Sequence, residues 1–437
     1  MQTNARQAAI EILEKCRRSR AWSGALLDNA VKKYDLDRRE TALTTQLCLG
    51  VLQNMDLCDY YISTYCKTKL EPKVGDILRL GVYQILFLDK IPDRAAVNEA
   101  VELCKNFGYS RASGLVNAVL RKISDNKSSL PEIPGKGTAQ YLSVKYSHPL
   151  WLAEYICSLY GYGFAEDFFK ADNSVPKLTI QVNTLKISVE DYCRALENES
   201  ISFSLSENVS GCIELDGGSA VSLPGFSDGH FYVQDKAARL AVAAAAPEPG
   251  MRVLDACSSP GGKTFASALL MHGKGSILAC DIHEKKLRLV KEGAERLDFD
   301  IVKTEAGDAR TYDSSLDGAF DVVIADVPCS GLGVIRKKPE IRLKTKDEIE
   351  ALPVIQKEIL DNLSKYVKPG GVLLYSTCTV IREENEAVVE NFLERSSDFS
   401  AEAFSVGGIG SDTGMYTFWP HVDGTDGFFI AKLRRSV

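Results

Sequence analysis

Val253-Leu254-Asp255-Ala256 runs into Cys257-Ser258-Ser259-Pro260-Gly261-Gly262-Lys263-Thr264: a short apolar strand, a glycine-rich turn and the start of a helix. That order puts the turn where open α/β sheets hold their ligands. Gly261 and Gly262 allow the backbone to approach a bound molecule and expose amides at the helix start. Two nucleotide motifs fail here. The phosphate-binding P-loop needs glycine five positions before Gly262, where Cys257 stands, and no Gly-x-Gly-x-x-Gly run occurs. The loop therefore serves something other than a di- or triphosphate.

The rhythm continues downstream. Apolar runs at 277–280, 322–325 and 372–375 alternate with helical patterns at 265–271, 284–297, 348–367 and 383–393. Such alternation predicts a parallel, doubly wound, Rossmann-like sheet over 231–437, with an antiparallel edge strand at 427–433. Acids follow successive strands: Asp255, then Asp281, Asp308 and Asp326. One acid at a strand end usually caps a turn, whereas four point to a shared crevice. Asp281 is placed to accept hydrogen bonds from ribose hydroxyls, and Asp308 to face an adenine amino group. The combination suits S-adenosylmethionine, which has ribose hydroxyls, an adenine, a sulfonium and no phosphate.

Two cysteines sit just past strand ends: Cys329 in Asp326-Val327-Pro328-Cys329-Ser330-Gly331, and Cys378 in Ser376-Thr377-Cys378-Thr379. A buried structural thiol is the default for either alone. Paired placement beside a cofactor loop suggests covalent chemistry. Methylation at C5 of cytosine needs a nucleophile at C6, an acid near N3 and N4, and a base near C5. Cys378, Asp326 and Cys329 can fill these roles, provided the pocket favours a thiolate over the free thiol, whose pKa is about 8.5.

These residues resemble the RNA 5-methylcytosine methyltransferases of the Nop2/Sun family. The family's Asp-x-Cys-x-x-Pro-Gly-Gly-Lys-Thr, Asp-x-Pro-Cys-Ser-Gly and Ser-Thr-Cys motifs stand here at 255–264, 326–331 and 376–378. The resemblance covers about the last two hundred residues. It implies that Cys378 is the nucleophile and that Cys329 assists product release. It also implies that Cys257, Ser258, Ser259, Pro260, Gly261, Gly262, Lys263, Asp281, Asp308 and Asp326 contact S-adenosylmethionine. The front of the chain, with Arg94 to Val101 and Gly114 to Arg121, is similar to NusB-type RNA-binding domains. Together the two halves imply 16S ribosomal RNA as the partner. DNA cytosine methyltransferases share only an attacking Pro-Cys cysteine, and the Thr-Cys cysteine favours RNA.

Periodicity makes residues 1–126 an all-α bundle, with Asp37 a helix cap and a polar, proline-containing linker after it. Residues 145–230 read as a small α+β domain, with a helix near 151–160 and strands at 178–182 and 202–205. The charge of −7 argues against a protein coated in positive potential but permits a local basic patch. One candidate is the run of Arg336, Lys337, Lys338, Arg342, Lys344 and Lys346 after Cys329, read as phosphate-contacting. A second is Arg17, Arg18, Arg20, Lys32, Lys33, Arg38 and Arg39. Twelve cysteines without a Cys-x-x-Cys pair, and only five histidines, make a structural zinc site or any metal an unlikely expectation, with thiols such as Cys16, Cys48, Cys104 and Cys157 serving as small hydrophobes. No apolar stretch is long enough to span a bilayer, so a cytoplasmic monomer that does not engage membranes is expected.

Overall fold

The computed structural model describes residues 5–19 and 21–437. The chain folds as two compact units. One takes in the residues up to Ser174 together with Ile335–Lys346; the other comprises Val175–Val334 and Asp347–Val437.

The first unit is helical. Its centre is the helix Pro72–Phe87, which buries residues on every side from Val74 to Ile85, as a helix surrounded by others must. Gly81 lets Leu120 of the helix Ser113–Asp125 approach closely: a Cβ there would lie 2.5 Å from Leu120 Cδ1. Cys16, Cys48 and Cys104 are buried in this core. Asp37 caps the helix Arg38–Gln53 by accepting from the Glu40 N–H at 2.8 Å. The helices Ala139–Tyr146, Leu150–Tyr160 and Tyr162–Asp172 belong to the same unit.

The strap Ile335–Lys346 corrects the phosphate-loop expectation at Arg342. Its guanidinium is buried and donates to Gln53 O and Asn173 Oδ1. Burial lowers the Arg342 pKa to about 10, while Asp172 and Asp56 pull it upward. Glu340 completes the start of the helix Ser23–Tyr34, accepting from the Ser23 N–H at 2.9 Å and the Ser23 hydroxyl at 2.8 Å. An uncapped first turn leaves amides without partners, so a remote carboxyl there is stabilising. Lys338 lies 5.0 Å from the Trp22 ring centroid. Of the second basic group, Arg17 pairs with Asp76 at 2.9 Å and Lys33 with Glu11 at 3.3 Å. Lys32, Arg38 and Arg39 remain exposed, and Arg20 lies outside the described residues.

The second unit holds two main sheets. Strands β1 (Leu178–Val182), β2 (Phe203–Leu205), β3 (Cys212–Leu215) and β4 (Phe231–Val233) form an antiparallel sheet in the order β2-β3-β1-β4. Tyr192 and Leu196 of the helix Val189–Asn198 join its core. Then follow β5 (Arg252–Asp255), β6 (Ser276–Asp281), β7 (Val302–Ala306), β8 (Phe320–Asp326), β9 (Val367–Thr377), β10 (Phe399–Ala401), the hairpin β11 (Phe404–Val406) and β12 (Ile409–Ser411), β13 (Met415–Phe418) and β14 (Phe428–Arg435). The large sheet runs β10-β14-β9-β8-β5-β6-β7, and β13 also pairs with β14. Strands β5 to β9 are parallel and β14 is antiparallel to β9. The predicted edge strand is therefore an interior one. Its continuous apolar run, Phe428 to Ala431, is buried throughout, the pattern of a strand covered on both faces.

Candidate active site

Strand order reverses between β5 and β8, since the chain passes from β5 to β6 and β7 on one side before returning on the other. The crevice beyond the carboxyl ends at such a point is where this architecture binds ligands. Asp255, Asp281 and Asp326 end β5, β6 and β8, and Thr377 ends β9. Asp326, Asp255 and Asp281 all bear on Cys257, whose thiol is pushed up first by burial and then by these carboxyls.

The loop from Cys257 to Gly261 is pinned from both sides. The Ser258 N–H donates to Cys280 O at 2.8 Å, and the Ser259 N–H to Asp281 Oδ2 at 3.4 Å. Asp281 Oδ1 also accepts from the His283 N–H at 2.8 Å. Gly261 has φ 112°, a conformation that favours glycine. A Cβ there would meet the Phe265 ring at 2.5 Å. Gly262 opens the helix Gly262–Leu270, and Pro260 is exposed at the loop tip.

Asp255 does not open onto the crevice, as the four-acid reading expected. It is fully buried, and the Thr264 hydroxyl donates to its Oδ2 at 2.6 Å. It anchors the helix from below. Burial pushes its pKa up to about 7, against about 3.9 when unfolded. Between these values the folded chain holds a proton that the unfolded chain has lost, so this carboxyl reduces stability as pH rises through the window and adds nothing further above it. In Asp255→Asn the term vanishes. Urea unfolding should show variant minus native stability climbing by up to about 1.4 kcal/mol per pH unit between about pH 4 and 7.

The loop suits S-adenosylmethionine. The Ser258 and Ser259 hydroxyls are buried without a partner among the described residues, which leaves both able to bond a ligand's polar groups. A slot of about 210 Å³ lies beyond β5 to β7, lined by Leu254, Ala256, Leu278, Cys280, Asp308 and Tyr366. Apolar walls with Glu305, Asp308 and Asp313 among the lining residues offer a flat base both packing and hydrogen-bond acceptors. Arg310 chelates Asp308, with Nη2 2.6 Å from Oδ2, and this pairing lowers its pKa. Lys263 turns the other way: its Nζ lies 2.7 Å from Asp326 Oδ2 and 4.8 Å from the Phe428 ring centroid. The Ser376 hydroxyl donates to Asp326 Oδ1 at 2.8 Å, so both carboxylate oxygens are held.

The two cysteines come together. Their sulfurs are 3.2 Å apart, and the Cys378 N–H points at Cys329 Sγ at 3.3 Å. Both are half-buried. The Cys329 thiol is held well above its ordinary pKa, first by its hydrogen bond to Cys378 and then by burial, with Glu384 and Asp326 adding to the effect.

Behind the sulfurs lies a polar frame in which Ser330 and Thr377 of the motifs meet Glu384, Gln356, Thr379 and Asn385 from outside them. Glu384 Oε2 accepts from the Ser330 N–H at 2.8 Å and from Gln356 Nε2 at 2.9 Å. Ser330 Oγ and Thr379 Oγ1 are 2.7 Å apart, and Asn385 bonds both Thr377 Oγ1 and Thr379 O. Glu383-Glu384-Asn385 reads as an ordinary helix start; an acid and an amide this close after Cys378 were the available signal. Gly333 and Gly427 touch backbone to backbone: the Gly427 N–H donates to Gly333 O at 2.8 Å, and the Gly333 N–H to Cys378 O at 3.0 Å. A Cβ on Gly333 would lie 1.9 Å from Gly427 O. Gly333→Ala should cost about 1–3 kcal/mol in urea unfolding and lower methyl transfer at least about tenfold by shifting the Cys378 carbonyl.

Comparison with known proteins shows the family. Residues 242–434 match a family model described as 16S rRNA methyltransferase RsmB/F. Residues 3–125 match the NusB family, and 148–222 the ferredoxin-like domain of RsmF/B-like methyltransferases. The probable ribosomal RNA small subunit methyltransferase B of Bacillus subtilis is 35% identical, covering 99% of both chains. A solved structure titled PH0851 aligns with a TM-score of 0.82 at 28% identity, over 99% of this chain and 98% of that one. NSun6 from Pyrococcus horikoshii, solved with SFG, aligns with a TM-score of 0.57 at 25% identity, over 65% and 97%. The chain belongs to the S-adenosylmethionine-dependent small-subunit ribosomal RNA methyltransferases of the RsmB/F family.

Proposed function

We propose that the enzyme methylates C5 of a cytosine in 16S ribosomal RNA through a transient bond between Cys378 and C6. The observation that carries this reading is the pair of sulfurs 3.2 Å apart at neighbouring strand ends, beside the Lys263–Asp326 pair. Residues 257–263 with Asp281 and Asp308 would hold S-adenosylmethionine, which would supply an electrophilic methyl group and leave as the neutral thioether.

Cys329, the thiol driven towards its protonated form, donates to Cys378 and favours the thiolate there. Cys378 Sγ bonds C6, and the C5=C6 electron pair moves to C5. As charge builds on the ring, N3 takes a proton from water by way of Asp326, which Lys263 and Ser376 hold in place, and returns it by the same route on release. C5 takes the methyl group. Once Cys378 is a thioether, no anionic sulfur holds the Cys329 proton, and that proton passes to water. Cys329 Sγ then takes the proton from C5, the C5=C6 bond re-forms, and the C6–S electron pair returns to Cys378. The target base must leave any stack, at a cost of about a few kcal/mol. Segments 1–126, 145–230 and 231–437 act as RNA-binding, linking and catalytic parts, and such an enzyme works in the cytoplasm.

No helix among the described residues is long and apolar enough to cross a membrane. The test is transfer of a labelled methyl group to small-subunit RNA from a deletion strain, followed by nucleoside mass spectrometry. Label in 5-methylcytosine is expected. Label in another nucleoside, or in transfer RNA alone, overturns the reading.

A further inference from the structure

The two sulfurs are supported differently. Cys378 directly follows β9, whose ladder with β14 runs to Thr377 opposite Phe429. Cys329 lies three residues beyond β8, and the last backbone bond towards β9 is from the Val327 N–H to Ser376 O at 3.1 Å. Past that point the sheet no longer holds the chain.

Two buried side chains take over. Gln356, 0% exposed, donates to Pro328 O at 3.0 Å and to Glu384 Oε2. Glu384, 1% exposed, accepts from the Ser330 N–H. One residue therefore grips the peptide unit before Cys329, the other the unit after it, and each grips the other. Burying a carboxyl and a carboxamide is costly where apolar packing would serve, so the arrangement points to placement rather than stability.

We propose that Glu384 and Gln356 are positioning residues for product release, fixing the backbone on both sides of Cys329 so that its sulfur stays over C5. This rests on the reading of Cys329 as the release base. During attack the thiol–thiol hydrogen bond helps to hold Cys329. That bond is lost once Cys378 is joined to the base, leaving the Cys378 N–H, 3.3 Å from Cys329 Sγ, and the Glu384–Gln356 brace to keep the second sulfur in place.

The experiment compares Glu384→Gln, Gln356→Met and Cys329→Ala by rapid quench with labelled methyl donor, resolving covalent protein–RNA species on denaturing gels. For the brace variants, first-turnover methyl transfer should stay within about threefold of native, while steady-state turnover falls at least about tenfold and methylated adduct accumulates. A merely structural role lowers both phases together without adduct, and that result overturns the proposal. Adduct in Cys329→Ala but in neither brace variant also overturns it. Absence of adduct in Cys329→Ala instead overturns the release role itself. Should Glu384→Gln fail to fold, Gln356→Met decides, because it leaves the Glu384–Ser330 bond in place.

Discussion

On the proposed mechanism, Cys378→Ala should abolish methyl transfer, with kcat/KM falling by at least about a thousandfold, equivalent to about 4 kcal/mol of transition-state stabilisation. C5 of cytosine attacks a sulfonium methyl poorly unless a nucleophile first adds at C6, and Cys378 is the sulfur that lies 3.2 Å from Cys329. Cofactor affinity, measured by calorimetry with S-adenosylhomocysteine, should change by less than about threefold, because the donor loop is pinned by Cys280, Asp281 and Asp255 rather than by Cys378. Turnover within tenfold of native would remove Cys378 from the nucleophile role.

Cys329→Ala has the opposite signature. On the proposed mechanism, attack and methyl transfer should proceed once, and the enzyme should then stay bonded to methylated RNA because C5 keeps its proton. Steady-state turnover should fall at least about a hundredfold, within the range for losing a general base, while a band resistant to heat and detergent appears at near-stoichiometric yield. Raising pH should not restore turnover, since the missing group is the base and not its ionisation. A dead variant without that band would show that Cys329 acts before the bond to C6 forms.

Much of this was legible in the chain. Short apolar runs with intervening amphipathic helices gave β5, β6, β8 and β9 within a few residues, because parallel strands buried on both faces leave continuous hydrophobic tracts. The turn after β5 was readable as a strand-to-helix loop because Pro260, Gly261 and Gly262 stand between an apolar run and a helical pattern. What escaped was non-local. Nothing in Gly427 to Leu433 says that β10 and β13 cover its far side. A run of cations after Cys329 looks solvated, yet Arg342 is interior because Gln53, Asn173 and the acids near it lie far away in sequence. Glu384 resembled a helix-start acid, and only the closeness of Ser330 and Gln356 reveals its partners.

The strap from Ile335 to Lys346 has a practical corollary. These twelve residues are encoded inside the catalytic half but fold with the front helices, and Ile335, Ile341 and Arg342 are buried there. Severing the gene at the linker would leave a ribbon whose greasy and cationic groups have no home, inviting aggregation or proteolysis. Anyone grafting a different recognition module onto this methyltransferase must carry the ribbon's berth along with it, or replace the ribbon by a short hydrophilic turn.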